Sequence, residues 1–119
     1  MSRRSCAILL VEDEFLIAMD LQAQIESAGY RVIGPAATVA QALSLLDAEA
    51  PCAAVLDMNI HGSTSLPIAE RLAEAGTPFM FLSGNDKSRV LDRFSDRAVL
   101  TKPINYTQLL AELNAICGV

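Results

Sequence analysis

Residues 6–29 read Cys-Ala-Ile-Leu-Leu-Val-Glu-Asp-Glu-Phe-Leu-Ile-Ala-Met-Asp-Leu-Gln-Ala-Gln-Ile-Glu-Ser-Ala-Gly, and this stretch decides the fold. Residues 7–11 form an unbroken apolar run, the mark of a strand covered on both faces. Three acidic residues follow, Glu12, Asp13 and Glu14. From residue 14 to residue 28 the period changes to helical, with Ile17, Leu21, Ile25 and Ala28 on one stripe. Gly29 stands where a helix C-terminal glycine belongs. The stretch is therefore a strand, an acidic turn and a helix, and the strand is too apolar to sit at a solvated face.

The same alternation recurs down the chain. Residues 30–33 read as a second strand closed by Gly34-Pro35, and Thr38 with Gln41 forms a capping-box signature opening a helix. Val39, Ala42, Leu43, Leu46 and Ala50 supply its apolar face, and Pro51 stops it. Residues 53–56 are a third buried strand ending at Asp57. A loop over residues 58–64 contains Gly62, and Pro67 falls in the first turn of a helix that Gly76 and Pro78 end. Residues 79–82 form a fourth strand, followed by a polar turn over 83–86 and a short helical pattern through Val90, Leu91 and Phe94. Residues 98–100 make a brief fifth strand. The last helix places Tyr106, Leu109, Leu110, Leu113 and Ile116 on one side. Five strand–helix units without tandem hairpin signals predict a three-layer, doubly wound, five-stranded parallel sheet of flavodoxin-like (β/α)5 topology.

Length and composition bound the function. The 119 residues suit one domain over 1–119, with no repeat or linker. The chain is 52% hydrophobic but only 5% aromatic, so its core is built from aliphatic side chains. A formal charge of −5 argues against direct nucleic-acid binding, which needs clustered cations. Lys87, Arg89, Arg93 and Arg97 gather in one stretch, read as a solvated helix face. Cys6, Cys52 and Cys117 lack metal-ligand spacing and read as reduced thiols of a cytoplasmic protein. Arg3 and Arg4 before an apolar run look superficially like a signal peptide, but the run is short and ends in acid. No run approaches a membrane span.

In a doubly wound sheet the site lies beyond the carboxyl ends of the strands. Glu12, Asp13 and Glu14 follow the first strand, Asp57 the third, Ser83 the fourth and Lys102 the fifth. Taken singly, Glu14 is a helix cap, Ser83 a turn residue and Lys102 a solvated charge. Asp57 differs, since it directly follows a wholly apolar strand and no helix begins there. Clustered carboxylates repel unless a cation intervenes. Mg²⁺ suits the place, because it takes oxygen ligands from one or two carboxylates together with waters and phosphate oxygens.

Glu12-Asp13, the Asp57 that ends Ala-Val-Leu-Asp, the Ser83-Gly84 turn and Lys102-Pro103 together resemble the receiver domain of bacterial two-component response regulators. The resemblance covers essentially the whole chain, in order and with matching spacing. It implies that Asp57 is the phosphoacceptor, attacking a phosphohistidine on a sensor histidine kinase or a histidine phosphotransfer protein. Asp13 and Asp57 would bind Mg²⁺ directly, with the backbone carbonyl of Asn59 as a further ligand and Glu12 acting through water. Ser83 and Lys102 would each contact a phosphoryl oxygen, and the Lys102-Pro103 peptide would be cis. Such a domain is a phosphoacceptor switch, catalysing only its own phosphorylation and dephosphorylation. Its downstream protein target is unnamed, and the family leaves room for a homodimer.

Departures bear on output. Val99 replaces the aromatic common three residues before the lysine, and His61-Gly62 replaces the loop proline. Phe81-Leu82-Ser83-Gly84 looks like the variant receivers nicknamed FAT GUY, without their tyrosine. His61, the only histidine, reads as incidental. A haloacid-dehalogenase-type hydrolase would want an aspartate where Asn59 stands. A flavodoxin-like cofactor binder would want a glycine-rich phosphate loop after the first strand, and no P-loop is present. A degenerate receiver that serves as a phosphorylation-independent interaction module is the remaining alternative.

Overall fold

The computed structural model describes residues 6–84 and 93–118. Five parallel strands run in the order β2-β1-β3-β6-β7: β1 (Ala7–Val11), β2 (Arg31–Ala36), β3 (Ala53–Asp57), β6 (Phe79–Ser83) and β7 (Val99–Thr101). A separate two-stranded hairpin pairs β4 (Asn59–Ile60) with β5 (Ser63–Thr64). The helices are α1 (Phe15–Ser27), α2 (Val39–Ala48), α3 (Leu66–Glu74) and α4 (Tyr106–Cys117). Of the fourth helical pattern, Val90 and Leu91 lie outside the described residues. None of the helices described is long and apolar enough to cross a membrane.

The unbroken apolar strands follow from burial on both faces. Alternate residues of β1 point to opposite layers: Leu9 and Val11 join Ala42 of α2 and Ile68 and Leu72 of α3. Ile8 and Leu10 join Leu21 and Ile25 of α1 and Leu109 and Leu113 of α4. The sheet is thus the middle of three layers, as the pattern predicts. Burial of several fully enclosed Leu and Ile side chains supplies the main driving force, at about 1.5–3 kcal/mol each.

Local chemistry sets the helix ends. Thr38 Oγ1 accepts from the Gln41 backbone N–H at 3.0 Å, while Gln41 Oε1 accepts from the Ala37 N–H at 2.9 Å, so the capping box forms with its reciprocal bond one residue upstream. Asn105 Oδ1 caps α4 through the Gln108 N–H at 3.1 Å. Glu14 occupies the N-cap position of α1 but makes no side-chain cap. The bond runs instead from the Glu14 N–H to Glu12 Oε1, at 3.1 Å. Helix α2 ends at Ala48, earlier than its apolar stripe predicts, because Glu49 turns to extended backbone.

The strand order reverses between β1 and β3, because the chain leaves β1 toward β2 and returns on the other side to β3. That switch point opens a crevice at the carboxyl ends of both strands. Backbone bonds carry the ladders one residue further at three places: Glu12 N–H to the Ala36 carbonyl at 3.0 Å, Met58 N–H to Leu82 at 3.0 Å, and Lys102 N–H to Ser83 at 2.8 Å. The first residue beyond each of β1, β3 and β7 is therefore still bonded to the neighbouring strand or its end.

Strand β2 is longer than its sequence pattern suggests and continues through Gly34-Pro35. It pairs Leu9 with Ile33 but Val11 with Ala36, so β2 carries one extra residue. Gly34 makes this bulge possible with φ +100°, and an added Cβ would stand 2.7 Å from the Ala36 nitrogen and 3.0 Å from the Leu10 carbonyl oxygen. The bulge brings the Ala36 carbonyl under Glu12. Gly34→Ala is expected to cost about 1–3 kcal/mol of stability, seen as a lower denaturant midpoint at unchanged slope. An unchanged midpoint would remove the bulge from the account.

Candidate functional site

The carboxyl ends of β1, β3 and β7 converge on one cation. Lys102 Nζ lies 2.9 Å from Asp57 Oδ2 and 3.1 Å from Glu12 Oε2, and Glu14 Oε1 stands 4.0 Å away. Glu12, Asp13 and Asp57 each place an oxygen so that all three lie within 4.8 Å of one another. Asp57 Oδ1 also accepts from the Asn59 backbone N–H at 3.4 Å. Glu12 and Asp57 are buried, at 2% and 6% exposure, so this charge is not dissipated by bulk water.

A cleft of about 240 Å³ opens above this group, lined by Asp13, Asp57, Asn59 and Lys102, with Glu14, His61, Gly62 and Gly84 at its edges. The sequence-derived set is thus brought together, with two qualifications. Glu12 sits beneath the cleft instead of lining it. Ser83 ends β6 next to Asp57's neighbour Leu82 and is buried, but its place on the cleft wall is taken by Gly84. The peptide between Lys102 and Pro103 is cis, as the resemblance implies.

Two residues stand differently from their sequence reading. His61 belongs to the cleft, because residues 58–64 fold into the β4–β5 hairpin instead of an open loop. Its two-residue turn has φ 50° at His61 and 77° at Gly62, the positive pair that a type I′ turn requires. The His61 N–H donates to Asp13 Oδ2 at 2.9 Å, and its Nδ1 lies 3.8 Å from the same oxygen. The His61-Gly62 dipeptide, with glycine at the second turn position, is the one local signal for this hairpin. Arg97, read as part of a solvated face, stacks its guanidinium 4.3 Å above the centroid of Phe79, within a cluster of Phe79, Phe81 and Phe94. Arg93 does reach solvent, 3.6 Å from Glu70. Lys87 and Arg89 lie outside the described residues. Val99 pairs with Phe81 and packs against that aromatic cluster.

Burial pushes the Glu12 carboxyl up to about 7, and the Asp57 charge adds to the rise; the Glu14 N–H and Lys102 oppose it. Burial works against the Lys102 charge, but hydrogen bonds and charges from Asp57 and Glu12 outweigh it and hold its pKa above the ordinary lysine value. The sign for stability follows. Between the ordinary value of 4.5 and about 7, Glu12 loses its proton in the unfolded chain but keeps it in the fold, so the native state loses ground as pH rises. In chelator-treated protein, Glu12→Gln is expected to gain stability over wild type across this window, by at most about 1.4 kcal/mol per pH unit. Parallel stability curves for the two proteins would contradict this assignment.

The family model described as the response regulator receiver domain matches residues 8–114. The solution structure of SdrG from Sphingomonas melonis Fr1 superposes with a TM-score of 0.84 at 40% identity, covering all of both chains. The response regulator PhyR from Brucella abortus gives a TM-score of 0.80 at 27% identity, over 98% of this chain and 49% of that one. Among curated proteins, the transcriptional regulatory protein PdtaR of Mycobacterium tuberculosis is 26% identical over 107 residues, 87% of this chain and 52% of its own length. The chain spans about half the length of the curated relatives it matches. A match of this extent, on a sheet whose switch point carries buried carboxylates and a lysine, means that the chain belongs to the response regulator receiver domains of two-component signalling.

Proposed function

We propose that Asp57 accepts a phosphoryl group from a phosphohistidine, on a sensor histidine kinase or a histidine phosphotransfer protein, in a Mg²⁺-dependent reaction. The observation that carries this reading is the bridge from Lys102 Nζ to both Asp57 and Glu12 beneath an open cleft. One ammonium cannot balance the carboxylates of Glu12, Asp13 and Asp57, so the group has an unmet demand for positive charge. The donors offered to an ion by these residues are hard oxygens, which suits Mg²⁺. Asp13 and Asp57 would hold it, with the Asn59 carbonyl, and Glu12 would act through a water. When bound, the ion supplies charge neutralisation for the incoming phosphoryl oxygens.

The protein's own groups do the positioning. An Asp57 carboxylate oxygen attacks phosphorus, the phosphorus–nitrogen bond to the donor histidine breaks, and an acyl phosphate remains. Lys102, already 2.9 Å from Asp57, follows the new charge to a phosphoryl oxygen. Ser83 is the hydroxyl donor nearest along the sheet, one residue beyond the strand partner of Asp57. Its movement toward the acyl phosphate would shift the chain after β6 and so change the surface seen by a downstream protein. Val99 leaves no aromatic in β7 to report that movement.

A macromolecular donor is supported by a groove that adjoins the cleft at Asp13. Phe15, Leu16 and Met19 of α1 are exposed at 74%, 75% and 52%, and Phe15 and Met19 line a groove with Glu12 and Asp13. Exposed apolar side chains in a groove that shares Asp13 with the cleft favour a protein surface over a free small molecule. We place the domain in the cytoplasm, where Cys6, Cys52 and Cys117, joined by no disulfide, remain reduced.

Acetyl phosphate or phosphoramidate with Mg²⁺ is expected to add one phosphoryl group to wild type and none to Asp57→Asn, read by intact-mass spectra. Equal labelling of both proteins would reject Asp57 as acceptor, and no labelling of wild type would favour the interaction module. Lys102→Ala is expected to slow labelling by about a hundredfold, the scale of losing one charge-stabilising donor. An unaltered rate would remove Lys102 from the reaction.

A further inference from the structure

His61 is the one imidazole in the chain, and it lines the cleft that holds Asp13 and Asp57. Three features put it there. The type I′ turn holds its backbone at φ 50°, the N–H to Asp13 Oδ2 bond of 2.9 Å ties the turn to the end of β1, and Nδ1 faces that same carboxylate at 3.8 Å. The side chain is 62% exposed, so it is not locked by packing on every side.

We propose that His61 is a ligand to the divalent ion held by Asp13 and Asp57, and that it shifts the cleft's selectivity from Mg²⁺ toward first-row ions that accept imidazole, such as Ni²⁺ and Co²⁺. The inference rests on reading the acidic cleft as a metal site and specifies which ions that site prefers. Two donors that each sit about 2.1 Å from one ion are at most about 4.2 Å apart. The 3.8 Å between Nδ1 and Asp13 Oδ2 lies within that limit, but among the described residues only Glu12, Asp13 and Asp57 already have ligand atoms within 4.8 Å of one another, so the imidazole must turn further toward Asp57 to join them. Carboxylate and carbonyl oxygens alone suit Mg²⁺, whereas an added imidazole nitrogen favours Ni²⁺, Co²⁺ and Zn²⁺. A solvent-facing imidazole that merely paired with Asp13 would alter no such order.

The test is calorimetric titration of chelator-treated protein with Mg²⁺, Co²⁺ and Ni²⁺, using wild type, His61→Asn and Asp13→Asn. Asparagine tolerates the positive φ and keeps the backbone N–H, so the turn survives while the imidazole is removed. His61→Asn is expected to weaken Ni²⁺ and Co²⁺ binding by roughly tenfold or more, against at most about twofold for Mg²⁺. Asp13→Asn is expected to weaken all three ions. Equal Ni²⁺ affinity in wild type and His61→Asn overturns the proposal, as does Ni²⁺ affinity that survives in Asp13→Asn. Wild type that binds Mg²⁺ but shows no His61 effect refutes this inference alone, whereas wild type that binds no divalent ion refutes the metal-site reading beneath it.

Discussion

The ion pairing of Lys102 with Asp57 and Glu12 is the contact on which the site depends. Two carboxylates and an ammonium are held out of bulk water, where an unpartnered charge costs several kcal/mol and a matched one far less. The pairing forms only because three strands end level with one another. That alignment rests on backbone bonds past the strand ends, from Glu12 to Ala36, Met58 to Leu82 and Lys102 to Ser83. The bulge at Gly34 exists, in this view, to bring the Ala36 carbonyl into place.

The same group is left electrostatically incomplete. Asp13 adds a further carboxylate within 4.8 Å, and burial already holds the Glu12 carboxyl up to about 7. A core built for stability alone would not keep these residues together. On the proposed reading, their cost becomes useful when the cleft receives a cation and then a phosphoryl group, because the charge balance changes there. Sites that are costly at rest and satisfied only when loaded are a common basis for a two-state switch.

Much of this was legible in the sequence because the signals were local and of one kind. The apolar run of β1, the acidic residues after it and Asp57 after β3 needed only strand-period reasoning and the rule for sheet edges. The capping box at Thr38 and Gln41 was equally direct. What escaped depended on tertiary placement. By sequence Glu14 is the capping side chain, yet Glu12, two residues earlier, accepts its N–H because the buried carboxylate needs a donor. The cluster of cations reads as solvated in sequence, and only the tertiary structure brings the aromatic face of Phe79 under Arg97. The hairpin over residues 58–64 is not legible as strands, since two-residue strands carry no periodicity, and a lone His61 without a second soft ligand gives no sign of its place beside Asp13.

The account's central claim is that these strand ends form one phosphoryl-binding centre. A crystal structure grown with Mg²⁺ and fluoroberyllate, which mimics an acyl phosphate, tests it most directly. The expected adduct has beryllium on an Asp57 carboxylate oxygen, Lys102 Nζ against a fluoride, and the metal between Asp13 and Asp57. Beryllium bound at another side chain, or Lys102 turned to solvent in the adduct, would contradict it.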